Sequence, residues 1–292
     1  MTQPQTPVWI YLNGRFVSRA EAVVSVFDHG FLYGDGVYET LRAYQGRIFM
    51  LQEHLARLER SARLIGLSIP LDGGQWAPIL AEVLHRNNLS AAYIRITVSR
   101  GEGAIGLDPG LCQSPTLVVI AQPLPSYPPS LYDQGIALII ATIRRNLPQA
   151  LPPHVKSLNF LNNILAKREA SEVKAFDAVM LNAEGNLAEC TTSNLFFVKE
   201  GLVCTPSRAC GILDGITRNV VLWFATEQGI PSEEGTYTPD NLFSADECFL
   251  TNTTMEIMPV RAVDDRTIGT GRPGPITERL RRLFQVNLSR FL

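Results

Sequence analysis

The chain has 292 residues, 46% of them hydrophobic and 18% charged, with a formal net charge of -2. That supports a large core, arranged as one large domain or two smaller ones. The near-neutral balance and the lack of a long Lys/Arg run argue against nucleic-acid binding, which needs clustered cations. No apolar run reaches a membrane span, and Met1 to Pro7 carries no signal-like core, so the expected location is cytoplasmic.

Val8 to Leu12 alternates, turns at Asn13-Gly14 and resumes at Phe16-Val17, the signature of a hairpin. Leu51, Leu55, Leu58, Ala62 and Ile65 recur at helical steps, and a second helix is predicted near Trp76 to Arg86. Tyr93 to Ser99 and Thr116 to Ala121 are rich in β-branched residues and read as strands. Pro123, Pro125, Pro128 and Pro129 stiffen the next segment and argue against helix or central strand there. The predicted organisation is a small N-terminal α/β domain over residues 1–122, a proline-rich linker over 123–134, and a larger domain over 135–292. Beyond the linker, Ile136 to Ile143 suits a buried strand and Leu158 to Val173 a helix. Strands follow at Ala178 to Leu181, Asn194 to Val198 and Leu202 to Cys204, and a helix follows Gly215. The pattern is a mixed α/β (α+β) protein.

Five cysteines, Cys112, Cys190, Cys204, Cys210 and Cys248, include no C-x-x-C pair, so no metal site or disulfide framework is indicated. Gly101-Glu102-Gly103-Ala104-Ile105-Gly106 matches a dinucleotide-binding glycine pattern, but a turn at Leu107 to Gly110 follows it, and no acidic residue lies about 20 positions on. The segment reads as a mobile loop.

Four other features fit together. Gly215-Ile216-Thr217 places a glycine and a hydroxyl at a helix start, where exposed N–H groups suit phosphate. Arg57 offers a cation. Lys156, after Pro152-Pro153, offers an amine that needs partial desolvation to act as a nucleophile. Glu189, between two short apolar strands, is costly unless a cation such as a protonated pyridine nitrogen or a salt-bridge partner accompanies it. An amine, a carboxylate and a phosphate turn are the handles by which a protein holds pyridoxal 5′-phosphate.

With Tyr11-Leu12-Asn13-Gly14, the run from Asp28 to Glu39, Glu53 to Leu58, Lys156-Ser157-Leu158-Asn159, Ser193 to Phe196, Leu213 to Arg218 and Glu256 to Val260, these residues carry a pattern that runs nearly end to end. The chain resembles the fold type IV pyridoxal-phosphate enzymes, which include branched-chain aminotransferases, D-amino-acid aminotransferases and aminodeoxychorismate lyases. The resemblance implies two α/β domains with the cofactor at their interface, and a homodimer whose loops help complete the neighbouring site. It implies that Lys156 is the Schiff-base lysine, that Glu189 binds the pyridine nitrogen, and that Arg57, Gly215, Ile216, Thr217 and Thr253 hold the phosphate. The resemblance further implies that Tyr33, Tyr38, Thr40, Tyr93, Arg95, Thr254 and Met255 face the amino-acid or 2-oxo-acid substrate.

Within the family, Tyr93-Ile94-Arg95 resembles the Tyr-x-Arg element that branched-chain enzymes direct to the substrate carboxylate. The loop from Gly101 to Gln113 has no Arg, Lys or His, unlike the basic trap common in D-amino-acid aminotransferases. Thr40 departs from the glycine usual in branched-chain enzymes and resembles the lyases; Thr254-Met255 replaces two alanines, and a methionine there narrows the pocket or packs away from it. The expected activity is transfer from branched-chain L-amino acids to 2-oxoglutarate. The alternatives are aminodeoxychorismate lyase and a D-amino-acid or relaxed-specificity transaminase.

Overall fold

Asn13 and Gly14 both take left-handed backbone, with φ of 46° and 86°. This joins β1 (Trp9–Leu12) to β2 (Arg15–Ser18) through the tight turn expected of an Asn-Gly pair. A computed structural model describes residues 8–292; the polar Met1 to Pro7 stretch lies outside the described residues. Two units emerge from the contacts. The first runs to Pro125 and takes back Val155–Asn159 and Leu292; the second is Ser126–His154 with Phe160–Phe291.

In the first unit, α1 (His29–Tyr33), β3 (Gly36–Tyr44), β4 (Arg47–Ile48), α2 (Leu51–Leu64), α3 (Trp76–Arg86), β5 (Ala92–Ser99) and β6 (Thr116–Pro123) follow in order. The sheet is antiparallel throughout, in the order β2-β1-β6-β5-β3-β4. Strand alternation sorts its side chains. Val37, Leu41, Ile94, Ile96 and Val119 pack with Leu55 and Leu58 of α2 and Trp76, Leu80 and Val83 of α3 into one core. Tyr38, Thr40, Tyr93, Arg95 and Thr97 therefore stand on the other face.

The second unit holds α4 (Pro129–Gln134), β7 (Ile136–Ile140), α5 (Leu161–Glu172), β8 (Asp177–Leu181), β9 (Leu187–Cys190), β10 (Asn194–Lys199), β11 (Leu202–Pro206), α6 (Ile216–Glu227), β12 (Ser232–Gly235), α7 (Pro239–Phe243), β13 (Glu247–Asn252), β14 (Glu256–Val263), β15 (Arg266–Thr267) and α8 (Pro275–Val286). Its strands run β12-β11-β10-β13-β14-β7-β8-β9, with β15 on β14. The pairing of Asn194 with Glu189 brings β9 back to β10, so six strands close into a ring. Leu138, Val179, Leu181, Leu187, Leu195, Phe197, Leu250 and Met258 form its core, while α5, α6 and α8 pack against β8, β13 and β14.

Two local expectations are corrected. The proline-rich linker is not free of helix: α4 starts at Pro129, where a missing N–H costs nothing and the fixed φ suits a first turn. Strand β7 stops at Ile140 instead of reaching Ile143, because the Glu169 carboxylate accepts from the N–H and hydroxyl of Thr142 at 2.7 and 2.6 Å. Among the described residues, no helix is long and apolar enough to cross a membrane.

Candidate active site

The segment carrying Lys156 lies along the start of β3. Ser157 bridges to Val37, the Tyr38 N–H donates to the Lys156 carbonyl at 2.9 Å, and the Leu158 N–H donates to the Gly36 carbonyl at 2.9 Å. The Lys156 N–H donates to Ser61 Oγ at 3.2 Å. These bonds fix the backbone and leave the side chain to point over the sheet. Its Nζ sits 4.5 Å from the centre of the Tyr38 ring. The Arg95 guanidinium carbon lies 3.9 Å from the same ring centre, with Nε donating to Thr97 Oγ1 at 3.1 Å. Thr40 pairs with Arg95 across β3 and β5, and Tyr93 stands two residues away on the same face. Burial pushes the Tyr38 phenol far up, so it stays protonated. Lys156, Tyr38, Thr40, Tyr93 and Arg95 are thus brought together.

On the core side of β3, Glu39 is fully buried. Its Oε1 accepts from Arg57 Nε at 2.6 Å, and its Oε2 accepts from Arg57 Nη2 at 2.9 Å. His54 Nδ1 lies 2.8 Å from the same Oε2. Burial alone opposes the carboxylate's charge, yet Arg57 and His54 together hold Glu39 below the ordinary carboxylate range. Burial also depresses His54, so its neutral ring donates Nδ1–H to Glu39. Arg57 is accordingly a buried, oriented cation rather than a solvated helix arginine.

Tyr33, at the end of α1, has partners of its own in this unit. Its hydroxyl accepts from the Gly106 N–H at 3.1 Å, and His29 packs edge-on against its ring. The loop from Gly101 to Cys112 is tied down by bridges Asp28–Glu102 and Gly103–Cys112. Asp108 caps a short 3-10 turn over Pro109–Leu111, so no helix follows the glycine pattern to receive a dinucleotide.

In the second unit, Glu189 lies within β9 rather than between strands. Its Oε1 accepts from Arg145 Nε at 3.0 Å. Its Oε2 accepts from Asn194 Nδ2 at 3.1 Å and from the Leu213 N–H at 3.0 Å. Gly215 caps α6 without a side chain, and the first turn holds no acidic residue, so the helix dipole and the leading N–H groups of Ile216 and Thr217 favour an anion. Thr217 is 3% exposed, yet its hydroxyl has no hydrogen-bond partner among the described residues. An orphaned buried hydroxyl at a helix N-terminus fits a phosphate oxygen. Thr253 lies half-buried in the turn between β13 and β14. Asn252 Oδ1 organises that turn, accepting from the N–H groups of Thr254 and Met255 at 3.0 and 2.7 Å. The Met255 side chain packs into the core of this unit.

The class IV amino-transferase family model matches residues 36–263. The chain belongs to the class IV aminotransferases. This class IV aminotransferase is 46% identical over 276 residues to the putative branched-chain-amino-acid aminotransferase of Methanocaldococcus jannaschii, covering 94% of this chain and 95% of the relative. It is 35% identical to the D-alanine aminotransferase of Bacillus licheniformis, covering 94% and 95%. Among solved structures, it superposes with a TM-score of 0.84 and 29% identity on the branched-chain amino acid aminotransferase of Thermobaculum terrenum in its PLP-form, covering 98% and 96%. The fold expected from the resemblance, type IV, is the fold of this aminotransferase.

Three residues that bond to candidate site residues were given no role from the sequence: His54, Arg145 and Asn194. His54, Arg57 and Ser61 do recur at helical spacing beside the apolar stripe of α2, a signal that this flank is buried. Arg145 and Asn194 meet Glu189 only through the folding of the ring, across 44 and 5 positions respectively.

Proposed function

We propose that this aminotransferase moves the amino group of branched-chain L-amino acids, leucine, isoleucine and valine, to 2-oxoglutarate, with pyridoxal 5′-phosphate as its cofactor. What carries this assignment is that Lys156 Nζ and the Arg95 guanidinium both lie against the Tyr38 ring, 4.5 and 3.9 Å from its centre. An amine for proton transfer and a guanidinium for a substrate carboxylate sit there on a tyrosine-rich face that suits an apolar side chain. The 46% identity to a relative named for branched-chain substrates supports the choice.

The residues divide the work. Thr217, the N–H groups at the start of α6, Thr253 and Arg57 would hold the phosphate, and Glu189 would keep the pyridine nitrogen protonated. When bound, the cofactor supplies the electron sink that makes a substrate α-proton removable. The Lys156 amine, half-buried beside Tyr38, would take that proton from the substrate carbon and deliver it to the cofactor's carbon. Arg95 orients the substrate through its carboxylate.

The protein partner we propose is a second copy of the chain. Phe31, Ile105 and Leu107 are 72%, 72% and 83% exposed, on α1 and on the loop joined to it by the Tyr33–Gly106 bond. Apolar side chains grouped in this way mark a contact surface. The five free cysteines accord with a reducing, cytoplasmic location.

Thr40, opposite Arg95, favours the lyase as a second reading. Acceptor dependence separates the two. We expect purified enzyme to form 2-oxo acids from L-leucine, L-isoleucine and L-valine only when 2-oxoglutarate is supplied. Release of pyruvate from aminodeoxychorismate without any acceptor, in the absence of such transfer, would establish the lyase instead.

A further inference from the structure

We propose that Asn194 is a positioning residue whose amide ties the Glu189 carboxylate to the turn that starts α6, fixing the spacing between the two ends of the cofactor site in this unit. The inference rests on the cofactor reading above, in which Glu189 meets the ring nitrogen and the α6 turn meets the phosphate.

Asn194 is 5% exposed and pairs with Glu189 at the point where the six-stranded ring closes. Its Nδ2 donates in two directions, to Glu189 Oε2 at 3.1 Å and to the Leu213 carbonyl at 2.9 Å. The Leu213 N–H returns to the same Oε2 at 3.0 Å. Carboxylate, amide and backbone turn therefore close a three-way hydrogen-bonded cycle. The amide oxygen packs closely against Gly215, because a Cβ added there would lie 1.8 Å from Asn194 Oδ1. One short side chain thus touches Glu189, the backbone of the turn and the N-cap of α6.

An amide is the group this place requires. An aspartate lacks both donors and would set a second negative charge against Glu189, and a serine has a single hydrogen to give. The cofactor is a rigid ring with a short phosphate arm, so its ring nitrogen and phosphorus lie at a nearly fixed separation. Handles held at that separation in advance lose little further freedom on binding. Arg145 Nε holds the other carboxylate oxygen, Oε1, and that bond ties in neither Leu213 nor Gly215.

The test is the rate at which cofactor leaves the holoenzyme, followed as loss of visible absorbance after dilution into a trap. Asn194→Ala is expected to speed release by about tenfold or more, the weight of hydrogen bonds to a buried charge. Glu189→Gln and Thr217→Ala should each speed release by a smaller factor in the Asn194→Ala background than in the wild type, because the handles are already displaced. Purely additive factors in both cycles would overturn the proposal. Asn194→Asp keeps the size and decides the matter if the alanine variant does not fold. Its release, measured against wild type at each pH, should slow as acid protonates the carboxylate pair, whereas wild-type release at every pH would refute the strut. A wild type that takes up no cofactor at all would overturn the cofactor reading itself, an outcome distinct from additivity.

Discussion

Lys156→Ala is expected to lower the rate of amino transfer by about 10²–10⁴-fold, the contribution of a positioned proton-transfer group. The structure separates this effect from a folding defect. The bonds that fix the segment use the N–H and carbonyl of Lys156 and the N–H of Leu158, none of which the substitution removes. The side chain stands half-buried against the Tyr38 ring instead of filling the core built by Val37, Leu41 and Leu58. Thermal unfolding of the variant should therefore stay close to wild type while turnover collapses. The visible band of the bound cofactor should also change, because the amine proposed to join it is gone. Turnover within tenfold of wild type would remove Lys156 from the proposed chemistry.

Glu39→Ala has the largest expected effect on stability, a loss of about 3–5 kcal/mol, because it leaves the buried Arg57 guanidinium without its counter-charge. Arg57 and Glu39 are 5% and 0% exposed at the side chain, and two bonds join them. His54, fully buried, loses the acceptor of its Nδ1–H as well. Denaturant unfolding of the wild type, Glu39→Ala and Glu39→Gln measures the cost, and the glutamine, which keeps shape and part of the hydrogen bonding, should lose less. The pair also sets an acid limit. The Glu39 pKa is depressed in the folded state, so its stabilisation is complete above the unfolded carboxylate value of about 4.3 and is lost as pH falls through the lower folded value. Stability of Glu39→Gln should fall less steeply than wild type in that acid window. Equal slopes would show that Glu39 is not held ionised by Arg57 and His54.

Much of this was legible in the sequence because local chemistry and global fold agree. Asn13-Gly14 made its turn, and the stripe of Leu51, Leu55 and Leu58 made its helix with the predicted face inward. Trp76 to Arg86 is helical over the expected residues. Where sequence reasoning stopped short, the cause was tertiary. Strand β3 gave no clear strand signal because Glu39, Thr40 and Arg42 interrupt its apolar pattern, and Glu39 is tolerated on the core face only because α2 brings Arg57 and His54 to it. Glu189 looked like a residue between strands because Leu187 to Cys190 is a four-residue strand whose partners lie on both sides of a closed ring. The return of Val155–Asn159 to the first unit was equally invisible, since its bonds to Gly36, Tyr38 and Ser61 are backbone and hydroxyl contacts without a side-chain pattern. Met255, at a position that resemblance places near substrate, is 2% exposed among the apolar side chains of the second unit.

The proposed substrate choice is decided by the half-reaction of the holoenzyme with a panel of L- and D-amino acids, without an acceptor, read as the shift in cofactor absorbance. A complete shift is expected with L-leucine, L-isoleucine and L-valine, reversed by 2-oxoglutarate. No shift with these three, together with a full shift on D-alanine, would contradict it.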